Sequence, residues 1–441
     1  MISIFDWMCL YWQIGLLLVV GLREFIKPKE RNIYVMAICA SSLILVQGQA
    51  WWVLSVFDAT GDLTLNHINK IISAEGASLA NLYIGLSVTC FFSTYFYLSR
   101  NSQSIVTSTT SVSLHSSNLK ITNYILLFWV IFFATIAVVI MGGVEAIISK
   151  PGQFMGRGAT VFLVLVHVGR LPLIKALVAS QKITLVSVSL FGFVALFQLF
   201  NGRGWMLFFL LQLCIAVNYC RRELSRKWMV GGVAIFLFVI FIFGMYRHFT
   251  SISESIGMDG LAAYISKYSG EDNPINWFYS TSLESFTGLA GLLTFQDSFG
   301  DIANDFGLSN LGFWIRLVPY QFRMDDSYPF VVWDEYITGL YAYPDSITRS
   351  GYESFYVHFG LIGVLAIGVL FSYFANKFHS AMINPSKNRF LVAIFSAYII
   401  LPLYGNLFFI FFYSMTELIN IILFSFITLF SRFIWMANEK K

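Results

Sequence analysis

Apolar runs of about 20 residues, the length that carries an α-helix across the hydrocarbon core of a bilayer, recur eleven times along this chain. They fall at 4–22, 33–57, 78–98, 122–141, 159–178, 183–200, 205–219, 229–246, 355–375, 390–408 and 411–434. The sixth and seventh are separated only by Asn201-Gly202-Arg203-Gly204, which reads as a tight turn, and the seventh is short. Eight of these runs precede a long interruption and three follow it. From Arg247 to Glu353 no membrane-length stretch occurs. The pattern predicts an all-α, polytopic integral membrane protein with about 11 transmembrane helices and one large, late extracytoplasmic loop. Three parts follow: residues 1–246 with eight helices, the loop 247–353, and residues 354–441 with three helices and a short tail.

Composition points the same way. The 441 residues are 57% hydrophobic and only 12% charged, about half the charged share of a soluble domain. Aromatic residues make up 18%, which suits belts of Trp and Tyr at the two bilayer interfaces. A net charge of +4 is too small to argue for nucleic acid. The five cysteines lie in or beside apolar runs without metal-ligand spacing, so they read as packed thiols rather than a disulfide framework or a zinc site. The first 22 residues lack a basic start and a small-residue cleavage site, so they read as a span and not as a cleaved signal. The segment 99–120 is rich in serine and reads as a flexible inner linker.

Basic residues set the orientation, because short cytoplasmic loops retain Lys and Arg. With the N-terminus outside, 18 basic residues fall on the inner side and nine on the outer, with Arg170 inside the fifth span. The C-terminus is then cytoplasmic and the long loop faces outward.

The long loop holds 14 acidic and five basic residues. Its many aromatics, among them Trp277, Trp314, Tyr320, Trp333 and Tyr341, supply material for a small core or for stacking on sugar faces. A short helix is expected over 283–293. The outer arginines run against the topological bias. Arg203 and Arg247 fall at the outer membrane–water boundary, and Arg316, Arg323 and Arg349 fall in the loop. A guanidinium grips phosphate oxygens through a planar fork of donors; each arginine could equally pair with a carboxylate or snorkel to headgroups. Arg170 and His167 share one face of the fifth span, and a charge there costs about 2.5–3.5 kcal/mol on insertion scales. Arg170 is therefore expected to face the bundle interior or to snorkel inward.

The layout, the Gly-Arg-Gly turn, the arginine closing Met245-Tyr246-Arg247 and the segment Gly351–Gly363 that enters the span after the loop together resemble the Wzy-type O-antigen and polysaccharide repeat-unit polymerases. The resemblance implies an enzyme of the bacterial inner membrane. It would join oligosaccharide repeat units carried on undecaprenyl diphosphate, at the outer face of that membrane, with a chain-length regulator and a flippase as candidate partners beside the membrane lipid. By the same resemblance Arg203, Arg247, Arg316, Arg323 and Arg349 would hold lipid diphosphates. A glycosyl transfer also needs a group to take the attacking hydroxyl's proton. Glu353 is the first candidate, at the loop–membrane junction, followed by Asp325, Asp326 and His248. No cofactor is implied, and no metal, since the loop has no Asp-x-Asp pair.

Two rivals differ in where they would place their charges. A flippase for the same lipid-linked sugars would show matched halves and charges along a central cavity. An O-antigen ligase would carry a histidine motif in the late loop, and no clear counterpart is present. The orientation has a direct test. A cysteine placed at Ser298 should react with an impermeant thiol reagent in intact cells with a permeabilised outer membrane; labelling only after lysis would reverse the topology.

Overall fold

The computed structural model describes residues 2–27, 31–62, 64–67, 70–101, 119–143, 160–201, 203–221, 225, 227, 231, 285–294, 351–384, 388–400 and 407–439. The described chain is almost entirely helical, as an apolar solvent requires: a helix pairs its own backbone N–H and C=O groups where no water can. Among the described residues, six helices are long and apolar enough to cross a membrane, and three further apolar helices are shorter. The protein is therefore an all-α membrane protein. The eighth expected span, 229–246, lies outside the described residues apart from one position.

The chain divides into two compact units, and each is described by itself. The first contains α1 (Ile4–Ile26), α2 (Ile33–Ser41), a π-helical turn (Ser42–Gln47), α3 (Gly48–Thr60), a hairpin of β1 (Thr64–His67) and β2 (Lys70–Ser73), and α4 (Ala74–Asn101). The second span, expected over 33–57, is one continuous helical stretch from Ile33 to Thr60 that widens into the π-turn without ending. The hairpin pairs Thr64 with Ser73 and His67 with Lys70. Its four-residue strands are too short to show a readable alternation.

Polar side chains tie this unit together. Ser3 and Asp6 form a capping box at the start of α1. Gln13 donates to the Asn81 side chain at 2.8 Å, Gln47 donates to Gln13 at 3.2 Å, and Asn81 donates to the Asp6 carbonyl at 2.7 Å. At the other end of α1 the fully buried Glu24 pairs with Lys27, accepts the Tyr95 hydroxyl, and accepts the Asn32 backbone N–H at 2.9 Å. Each of these links crosses from one helix to the next or closes the turn between two. Inside a bilayer such links are the alternative to an unsatisfied polar group.

One helix of the long loop belongs to the same unit. The expected helix over 283–293 appears as α10 (Ser285–Thr294), and its residues 286–293 are buried on every face. The backbone N–H groups of Phe286 and Thr287 donate to Gln49 Oε1 at 2.8 and 3.2 Å. At its other end the Ser73 N–H donates to Thr294 Oγ1 at 2.9 Å. Gly76 makes room: a Cβ there would lie 2.6 Å from the Ala290 carbonyl oxygen.

The unit is completed by α11 (Gly351–Ile383), which is bent sharply at Gly360, where φ is +61° and ψ is −152°. Only glycine adopts such a backbone readily. A Cβ at Gly363 would lie 2.9 Å from the Phe355 carbonyl carbon and 2.8 Å from the Phe359 Cβ. In a straight helix, residues eight apart are separated by about 12 Å, so the first nine residues of α11 fold back against the start of the span. The sequence reading takes 355–375 as one straight span; the glycine at 360 divides it.

The second unit holds α5 (Leu119–Ile140), α6 (Thr160–Val166), a 3-10 turn (His167–Arg170), α7 (Leu171–Val178), α8 (Leu185–Asn201), α9 (Arg203–Cys220), α12 (Arg389–Ile400) and most of α13 (Leu407–Glu439). The fifth span is expected as one helix over 159–178 and is instead broken at the 3-10 turn. Pro172 explains the break, since it has no N–H to donate and its ring crowds the carbonyl four residues earlier. Gly169 sits in that turn against Val130 of α5 and Val194 of α8, where a Cβ would lie 2.7 and 3.0 Å from their methyl groups.

Close packing at glycine gives a stability test. A Cβ at Gly368 of α11 would lie 2.9 Å from the Ser87 carbonyl carbon and 3.0 Å from the Phe91 nitrogen of α4, whereas Gly192 of α8 has open space beside it. Gly368→Ala should cost about 1–3 kcal/mol through overpacking and lower the thermal midpoint in detergent. Gly192→Ala should leave it unchanged or raise it by the roughly 1 kcal/mol gain in helix propensity.

Candidate functional site

Of the residues expected to bind the diphosphate or take the proton, Glu353 is the one whose side chain is among those described. It lies in the first turn of α11 and is completely buried, with Tyr352, Ser354 and Phe355 beside it also buried. Tyr356 of the same short helix stacks on Tyr83 of α4, ring centroids 6.0 Å apart. The sequence places Glu353 where the loop meets the span; in the structure its side chain is fully buried, on the short helix that precedes the bend at Gly360. Two physical roles fit the position. A carboxylate in a first turn is favoured by the helix dipole, and the pattern Ser350-x-x-Glu353 is that of a capping box. A glutamate is also one of the side chains that can take a proton from a hydroxyl held within its reach. Glutamine serves the capping role equally well but has no basicity, so the two roles separate on substitution. The spacing to Arg349 predicts one shared helix face, but Arg349 lies outside the described residues, and α11 begins two residues after it.

Arg203 opens α9, two residues after α8 ends at Asn201, so the break between the two spans is as short as the Gly-Arg-Gly turn predicts. A cation at the first position of a helix stands against the dipole. Local helix stability therefore does not account for an arginine here. Its side chain lies outside the described residues, as do Arg247, His248, Arg316, Arg323, Asp325 and Asp326.

The second unit holds a charged centre that the sequence half announces. Arg170 is fully buried and turned inward, one of the two dispositions expected for it. Three residues per turn in the 3-10 segment set it directly above His167. Arg170 Nη1 donates to the His167 carbonyl at 2.7 Å and Nε donates to Gln212 Oε1 at 3.0 Å. Its guanidinium lies 4.3 Å from the centroid of the Phe209 ring, and the His167 ring meets the same Phe209 edge-on at 5.1 Å. Glu417 of α13, also fully buried, completes an ion pair with it. Gln212 in turn donates to the Ile394 carbonyl of α12 at 3.0 Å.

Glu417 is the residue that inspection of the sequence passed over. The signal was present: it is an acid in the eleventh span, and a buried cation in another span needs a counter-charge. Gln49, Gln13 and Asn81 were missed for a different reason, since a neutral amide barely lowers the hydropathy of a span. Among the described residues, no group of three or more His, Cys, Asp or Glu comes together to hold a metal. No family model, curated protein or solved structure matches the chain.

The ion pair makes a thermodynamic cycle possible. Arg170→Met or Glu417→Leu alone strands a buried charge and should cost about 3–5 kcal/mol, seen as a lower thermal midpoint and less folded protein in the membrane. The double substitution removes both charges and should recover most of that loss. Additive losses would mean the two residues are not coupled.

Proposed function

We propose that this membrane protein polymerises oligosaccharide repeat units carried on undecaprenyl diphosphate into a surface polysaccharide, working at the outer face of the bacterial inner membrane. The observation that carries the reading is the setting of Glu353: a fully buried carboxylate on a helix folded back at the junction between the long loop and its following span. Arg203 at the start of α9 supports it, because an arginine set against the helix dipole is better explained by an anionic ligand than by local stability.

In this reading a hydroxyl of the incoming unit attacks the anomeric carbon of the growing glycan. A glycosidic C–O bond forms and the bond from the anomeric carbon to the diphosphate oxygen breaks. The proton of the hydroxyl passes to Glu353, and the electron pair leaves with undecaprenyl diphosphate. Arg203 and Arg247, with Arg316, Arg323 and Arg349 of the loop, would stabilise the negative charge gathering on that leaving group. Asp325, Asp326 and His248 are the alternative proton acceptors.

The test compares two variants for polymer length and for single repeat units left on the lipid. Arg203→Ala should remove a charge-assisted contact of about 1.5–3 kcal/mol, a loss of about ten- to 150-fold in rate or binding, and lysine should restore it only in part because the fork is lost. Glu353→Gln keeps the shape and the capping pattern while removing the basicity, so single units should accumulate with normal protein level. Ordinary polymer from Glu353→Gln would exclude it as the base, and full activity from Arg203→Ala would leave that arginine a structural role.

A further inference from the structure

We propose that Gln49 is a positioning residue for the outer loop, holding α10 as a re-entrant helix inside the first unit. The helices α3 and α4 are joined by the β1–β2 hairpin, so Thr60 at the end of α3 and Ala74 at the start of α4 lie on the same side. Gln49 stands eleven residues before Thr60, about 16 Å down the helix from that side at 1.5 Å per residue. Its Oε1 receives the N–H groups of Phe286 and Thr287, at the first turn of α10. The last residue of α10, Thr294, is bound at the hairpin end by Ser73, and Gly76 near the start of α4 lies against Ala290. Ten helical residues span about 15 Å, which matches the depth between the two attachments. The helix α10 thus runs from the level of Gln49 back up to the hairpin, with its N-terminus innermost.

Such a segment survives at that depth only where protein surrounds it, and residues 286–293 are buried throughout. The first two N–H groups after its start have no partner within their own helix. Gln49 supplies one acceptor for both, from a different helix, at the positive end of the α10 dipole.

The consequence for the loop is a division into two. Arg247 and His248 precede the anchor; Arg316, Arg323, Asp325, Asp326, Arg349 and Glu353 follow it. Both segments are tethered to the first unit at α10 and do not merely join the spans on either side. The link from this tether to polymer formation rests on the polymerase reading above, whereas the tether itself does not.

Amide hydrogen exchange on the full-length protein in lipid nanodiscs reads the tether directly. Gln49→Met keeps the side-chain length and removes the acceptor, so the amides of Phe286 and Thr287 should exchange about five- to 150-fold faster, with α1 and α4 unchanged. Gln49→Glu keeps an oxygen facing the same two donors and should hold exchange near the wild-type rate. Polymer made in cells should shorten with Gln49→Met and recover with Gln49→Glu. Unchanged exchange in Gln49→Met overturns the proposal. So does faster exchange spread evenly over α1, α4 and α10, or failure of Gln49→Glu to restore it. Faster exchange with ordinary polymer would sink the positioning role while leaving the tether. A wild-type chain that makes no polymer in a strain lacking its own polymerase would sink the polymerase reading alone, because the exchange result stands without it.

Discussion

A polar or charged group among apolar helices has no water to bind, and unpaired it costs several kcal/mol. The described structure is organised around meeting that demand. Arg170 is the most exacting case, and four groups converge on it: the His167 carbonyl of its own turn, Phe209 and Gln212 of α9, and Glu417 of α13. The position of α9, α12 and α13 around the 3-10 turn follows from serving one guanidinium, directly or through Gln212. Glu24 plays the corresponding part in the first unit, drawing Tyr95 of α4 and the start of α2 to the end of α1.

The same constraint explains the irregular backbone. The π-turn at Ser42–Gln47 widens the second span, while the 3-10 turn at His167–Arg170 and the bend at Gly360 interrupt regular α-helix. Two of them present polar side chains that bind a neighbouring helix, Gln47 to Gln13 and Arg170 to Glu417. The third folds the Glu353 segment back against its own span. Irregular turns of this kind are a cost in an apolar medium, and they occur where protein covers them.

In the proposed reading, function is divided between residues at helix starts and residues of the long loop. Glu353 and Arg203 each lie at the start of a helix, and the bend at Gly360 sets off the short helix that carries Glu353. The loop contributes charges on either side of α10. Docking α10 through Gln49 and Ser73 ties the loop to the first unit at that helix.

Hydropathy alone determines that the chain is a helical membrane protein, because the cost of leaving backbone groups unpaired in lipid allows few other architectures. It also places most described spans to within a few residues and marks 283–293 as a helix in the loop. Arg170 is legible as a buried charge, since it interrupts an apolar run. Its partner is not, because the pairing of 170 with 417 depends on which helices become neighbours and no local pattern encodes that. The short hairpin strands fall below the length at which alternation can be read. The buried amides of Gln13, Gln47, Gln49 and Asn81 leave almost no mark on hydropathy, yet they join the helices of the first unit. Glu353 could be picked from its place at a loop–span junction; its burial could not, because that depends on which distant segments pack around it. Local composition decides which segments enter the membrane, while long-range packing decides which polar groups meet there.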